Sequence, residues 1–136
     1  MAGQLFRPHG RFELRQESGV FVLEAEGPWN RETFDAYVAA LKTRVGDKPK
    51  RWGAYCFVTG EALVSPELLL PWRESNALLA KAGLVAVAYH FADAQFARFY
   101  EIVFREAIGD APFEVMFVDS KAQALAWLAE RGLVSG

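Results

Sequence analysis

The chain has 136 residues, 52% of them apolar and 24% charged, with a formal net charge of -2 at neutral pH. That length encloses one substantial core, and the apolar share excludes a disordered chain. The near-neutral charge, with acids and bases interspersed, lacks the basic stripe that a nucleic-acid partner demands.

Residues 1–10 read as a flexible N-terminal arm and residues 11–136 as a single domain. FELRQE at 12–17 alternates apolar and polar, as a strand with one wet face does. Ser18 and Gly19 supply a tight turn, and VFVLEAE at 20–26 is a second strand, so the pair is predicted to be a hairpin that Gly27 and Pro28 stop. Asn30 caps the first helix, whose Phe34, Tyr37, Val38, Leu41 and Val45 fall at helical spacing before Gly46 and Pro49 end it. WGAYCFV at 52–58 is a nearly unbroken apolar run, suited to a strand buried on both faces. Ser65 and Pro66 open the second helix as cap and first helical residue, and Gly83 closes it. LVAVAY at 84–89 is another buried strand. A third helix is predicted over 94–107, with Phe96, Phe99, Tyr100 and Val103 on one side. FEVMFV at 113–118 is the last strand. Ser120 with Gln123 makes a capping box for a final helix whose apolar side holds Leu125 and Leu128, and Gly132 ends it.

Strands alternating with helices imply right-handed crossovers and a largely parallel sheet, with the hairpin making the first strand an antiparallel edge. The expectation is an α/β sandwich of five strands and four helices. This order resembles the STAS domain of anti-sigma-factor antagonists and of sulfate-transporter tails, and in particular the small bacterial SpoIIAA-like proteins. The likeness rests on Gly27 followed by a helix, and on a serine opening the helix after the third strand; it covers residues 11–132. It implies a non-enzymatic binding or regulatory module that acts by protein contact around the second helix.

In signalling members of that family an aspartate-serine pair after the third strand carries a phosphorylated serine, followed by another serine and a glycine. Here residues 59–67 read TGEALVSPE, with one serine, no aspartate before it and proline after it. Ser65 is therefore the only residue onto which that role carries. As an N-cap its hydroxyl would accept a bond from a free helical N–H and stabilise by about 1 kcal/mol. As a phosphosite it would place charge at a favourable helix N-terminus, although Glu61 and Glu67 would oppose it. The cap is the primary expectation.

Ligands in open α/β sheets gather beyond the C-terminal ends of the parallel strands. The candidate binding residues on that rim are Asn30, Thr59, Glu61, His90, Asp93 and Asp119. His90 is the one general-base candidate there, but Ser65 lacks the G-x-S-x-G elbow that a Ser65–His90–Asp119 hydrolase would show. Asp93 and Asp119 also sit where they favour helix starts. No catalytic residue, metal or cofactor is expected: the acids and histidine lie on separate loops, and GEALVS has neither a second glycine nor a lysine for phosphate.

The second helix is apolar at consecutive positions, which one sheet cannot bury entirely. Leu68, Leu69 and Trp72 are candidate interface residues of a homodimer. The alternative is a carrier of a small apolar or lipid-like ligand, since the STAS fold resembles that of Sec14-type lipid-transfer domains. Cys56 is the only cysteine, which excludes an internal disulfide, and it reads as a small buried hydrophobe. No apolar run reaches membrane-spanning length, and MAGQLFRPHGR lacks the apolar centre of a signal peptide, so a cytoplasmic protein is expected.

Overall fold

A computed structural model describes residues 10–45, 51–62 and 64–135. Arm residues 1–9, and the Gly46 and Pro49 expected to end the first helix, lie outside the described residues.

Strands β1 (Arg11–Glu17) and β2 (Val20–Gly27) pair antiparallel, with Glu17 opposite Val20. Ser18 and Gly19 between them have φ of 51° and 81°. Two successive positive φ values give the turn a twist that matches its strands. Helix α1 (Arg31–Val45) follows. The Asn30 Oδ1 accepts from both the Thr33 N–H and the Thr33 hydroxyl at 3.0 Å, the expected cap. The remaining elements are β3 (Trp52–Gly60), α2 (Pro66–Lys81), β4 (Leu84–Phe91), α3 (Ala97–Ile108), β5 (Glu114–Val118) and α4 (Lys121–Glu130).

The strands lie in the order β1-β2-β3-β4-β5, with every pair after the first parallel. Because each crossover advances one place in the same direction, right-handedness puts α1, α2 and α3 on one face. On that face Leu23, Cys56, Val87, Tyr89 and Phe91 pack with Leu41, Tyr100 and Phe104. Helix α4 covers the other face, where Ala124 and Leu128 pack with Val20, Val22, Tyr55, Ala86 and Ala88. The period-2 alternation of the strands performs this sorting: β3 sends Cys56 and Val58 to the three-helix face and Tyr55 to the α4 face. The result is the expected sandwich, an α/β fold with an antiparallel edge strand.

Two local expectations are corrected. Helix α3 starts at Ala97, not at residue 94. The Asp93 carboxylate accepts the Gln95 N–H at 3.1 Å and its carbonyl accepts the Phe96 N–H at 3.2 Å, so residues 94–96 form a turn that competes with the helix. Its buried side is Tyr100, Phe104, Ala107 and Ile108, whereas Phe96 and Phe99 face solvent. At α4 the Ser120 hydroxyl accepts the Gln123 N–H at 3.1 Å as expected, but the Gln123 side chain reaches back to the N–H of Asp119 at 2.8 Å rather than that of Ser120. The reciprocal cap is one residue wider than the usual box.

Candidate functional site

Strands β2 and β3 end side by side, Gly27 opposite Gly60. A Cβ on Gly27 would collide with the Glu61 carbonyl oxygen. The lack of side chains here lets the chain after β3 fold across the end of β2, bringing Glu61 and Ala62 over the three-helix face.

Beneath them lies a cavity of about 120 Å³. Leu23, Cys56, Val58 and Tyr89 of the sheet form its floor. Phe34 and Tyr37 of α1, Leu68 and Trp72 of α2, and Phe104 of α3 form its walls, with the Trp72 ring edge-on to Phe104 at 5.1 Å. Glu61 is the one acidic side chain among the described lining residues, and none of them is basic. Burial pushes the Cys56 thiol up to about 12. Burial also raises the Tyr37 and Tyr89 phenols, helped by the neighbouring Cys56. All three groups therefore keep their protons at neutral pH and are able to donate.

A second space of about 40 Å³ lies toward the N-terminal ends of the strands, beside Trp52 and Leu84. It shares Leu23, Tyr37, Cys56, Trp72 and Tyr89 with the first and adds Asn76 of α2. Asn76 is 5% exposed, and its Nδ2 has no hydrogen-bond partner. An amide so placed costs about 1–3 kcal/mol when it stays unpaired.

The residues singled out in the sequence divide between this site and structural duties. Glu61, Leu68 and Trp72 line the larger cavity; Leu68 is buried and Leu69 half-buried. Ser65 occupies the N-cap position of α2, but its hydroxyl makes no capping bond. Pro66 has no N–H to offer, and the Leu68 N–H bonds the Ser65 carbonyl at 2.9 Å. Asn30 caps α1 and Asp93 shapes the turn before α3. The Thr59 hydroxyl donates across the sheet to the Ala25 carbonyl at 3.5 Å.

His90 projects on the α4 face, its Nδ1 2.7 Å from the Tyr55 hydroxyl and its ring centroid 4.7 Å from that of Phe57. Burial lowers its pKa, and the nearby Asp119 opposes that shift. Of the Ser65–His90–Asp119 grouping, only His90 and Asp119 influence one another, since Ser65 opens a helix on the opposite face. Sequence reasoning missed Asn76. Its signal was available: Leu68, Trp72 and Asn76 are spaced four apart, which places a polar residue in the inward stripe.

Among the described residues no three His, Cys, Asp or Glu side chains come together to hold a metal ion, and no helix is long and apolar enough to cross a membrane. No family profile matches the chain, and no curated protein does. Among solved structures it is similar to an uncharacterized protein of the DUF3478 family with a SpoIIAA-like fold from Shewanella loihica PV-4. The TM-score is 0.58 at 16% identity, over 90% of this chain and 95% of that one. The chain has a SpoIIAA-like fold.

Proposed function

We propose that the chain is a non-enzymatic binding module that takes a small apolar molecule between its sheet and the helices α1 and α2. The observation that carries this reading is the roughly 120 Å³ cavity walled by Leu68, Trp72 and Phe104. Folded interiors are close-packed, and voids larger than a water are few. An apolar cavity of about 150 Å³ stays dry and accepts benzene, so the space here suits a ring-sized occupant or the end of a chain. No proton transfer or nucleophile is needed for such a role, and the protonated Cys56 is a poor nucleophile.

Titration with toluene, followed by amide and methyl NMR shifts, tests this directly. Shifts should concentrate at Val58, Leu68 and Trp72, and Val58→Phe, which fills the cavity, should abolish them while retaining the wild-type fold by circular dichroism. Shifts scattered over the surface, or none at saturating toluene, would overturn the reading.

A second reading, contact with a second copy of the chain, is favoured by a separate observation. Leu70 and Leu78 on α2 are 66% and 52% exposed, and Phe99 and Ile102 on α3 are exposed as well.

A further inference from the structure

The binding site proposed above has a polar end, and its position specifies the chemistry of the occupant. Asn76 lies on the inward stripe of α2 one turn beyond Trp72, almost fully buried, with its Nδ2 unpartnered. It lines the smaller space, which adjoins the larger cavity and shares Tyr37, Cys56, Trp72 and Tyr89 with it. Buried donors in native proteins are nearly always paired, and each exception calls for an explanation. The smaller space is also lined by the Ser75 hydroxyl, the Tyr37 and Tyr89 phenols and the Cys56 thiol, each of which can donate, and Asn76 Nδ2 is the buried donor left without a partner. Among the described lining residues of both spaces there is no Lys, Arg or His, and Glu61 stands at the rim of the larger one. A carboxylate or phosphate would thus be desolvated without a counter-charge, which is prohibitively costly.

We infer that the natural occupant is a neutral apolar molecule carrying a carbonyl-type hydrogen-bond acceptor, which the Asn76 Nδ2 amide receives while the apolar body fills the cavity over Leu23 and Val58. The inference rests on the binding reading of the preceding section and adds the ligand's charge and polarity. It also explains why a hydrophilic side chain occupies a core position of α2 where leucine would otherwise pack.

The test compares three probes of one size: acetophenone; α-methylstyrene, in which a methylene replaces the carbonyl oxygen; and benzoate, which carries charge. Binding is read by 1H–15N NMR titration, including the side-chain amide peaks of Asn76. Acetophenone should bind wild type about tenfold more tightly than α-methylstyrene, as one net hydrogen bond implies, shift the Asn76 amide protons downfield, and outcompete benzoate. Asn76→Leu, nearly isosteric, should bind both neutral probes equally well.

Equal affinity of acetophenone and α-methylstyrene for wild type would overturn the inference while leaving the cavity reading intact, with a buried water as the partner of Asn76. Tighter binding of benzoate would overturn the claim of neutrality. Failure of all three probes to bind would remove the binding site itself. The wild-type comparison decides the matter even if the variant folds poorly.

Discussion

His90 illustrates how one buried contact sets the behaviour of a residue. The Tyr55 hydroxyl and the His90 Nδ1 share a hydrogen bond of 2.7 Å, in which the hydroxyl donates when the neutral ring carries its proton on Nε2. Burial is the main cause of its lowered pKa, and Asp119 counteracts only part of it. Because the folded pKa lies below the unfolded value of about 6.5, the unfolded chain binds more protons in the interval between the two. The contribution of His90 is therefore fully retained above pH 7 and is lost as pH falls through about 6.5 toward the folded value. Thermal melts from pH 7.5 to 5 should show wild type losing stability faster than His90→Gln, which keeps a partner for Tyr55 but does not titrate. Parallel curves for the two proteins would refute this account. Ligand binding should be the same in both, since His90 lines neither cavity. The residue was conspicuous in the sequence as a histidine at a strand end. Which face it occupied followed only from the register of β4 against β3, where His90 pairs with Phe57.

At the scale of elements, the start of α2 shows how a correct boundary can carry an incorrect energy. Ser65 has the extended backbone of an N-cap, φ -65° and ψ 137°, yet its hydroxyl makes no cap bond. The proline that marks the helix start also deletes one N–H, and the tight Leu68-to-Ser65 backbone bond consumes another. Ser65→Ala should consequently cost less than about 0.5 kcal/mol in urea unfolding, the range of an ordinary surface substitution. A loss near 1 kcal/mol would show that the hydroxyl caps the helix in solution after all.

The strands and most helices were legible because periodicity and turn residues act locally: alternation for β1, unbroken apolar runs for β3 and β4, Pro66 for α2. The start of α3 was not, because the Asp93 side chain diverts the backbone into a turn that the apolar spacing of Phe96 and Phe99 conceals. The three consecutive leucines of α2 were bound to separate by helical geometry, Leu68 inward, Leu69 half-buried and Leu70 outward. The cavity was beyond sequence reasoning, because it is a volume left by the mutual fit of Tyr37, Trp72, Tyr89 and Phe104 from four different elements. The inward position of Asn76, which lines the smaller neighbouring space, was within reach, since fourfold spacing from Leu68 and Trp72 fixes its direction.

At the scale of the molecule, the outward surface of the three-helix face remains to be accounted for. Arg73 of α2 donates from Nε to the Ala107 carbonyl and from Nη2 to that of Glu106, both at 2.9 Å, satisfying free carbonyls at the C-terminus of α3. Both helices run antiparallel to the strands they connect, so they lie parallel to each other. This anchor ties together the two helices whose exposed faces carry Leu70 and Ile102. Leu70 and Ile102 are both more than half exposed, as are Leu78 and Phe99. Apolar surface spread over two adjacent helices is uncommon on a monomer, and two-fold dimers are the commonest closed assembly. Wild type should therefore sediment as a homodimer through this face. Leu70→Glu, or Ile102→Glu, should yield a folded monomer that still binds acetophenone, because neither residue lines a cavity. Trp72→Glu is the wrong probe, since Trp72 packs on Phe104 and its replacement would disturb the core. A monomeric wild type across the micromolar range, or a dimer that both glutamate variants leave at unchanged affinity, would show that the apolar face of α2 and α3 serves some purpose other than self-association.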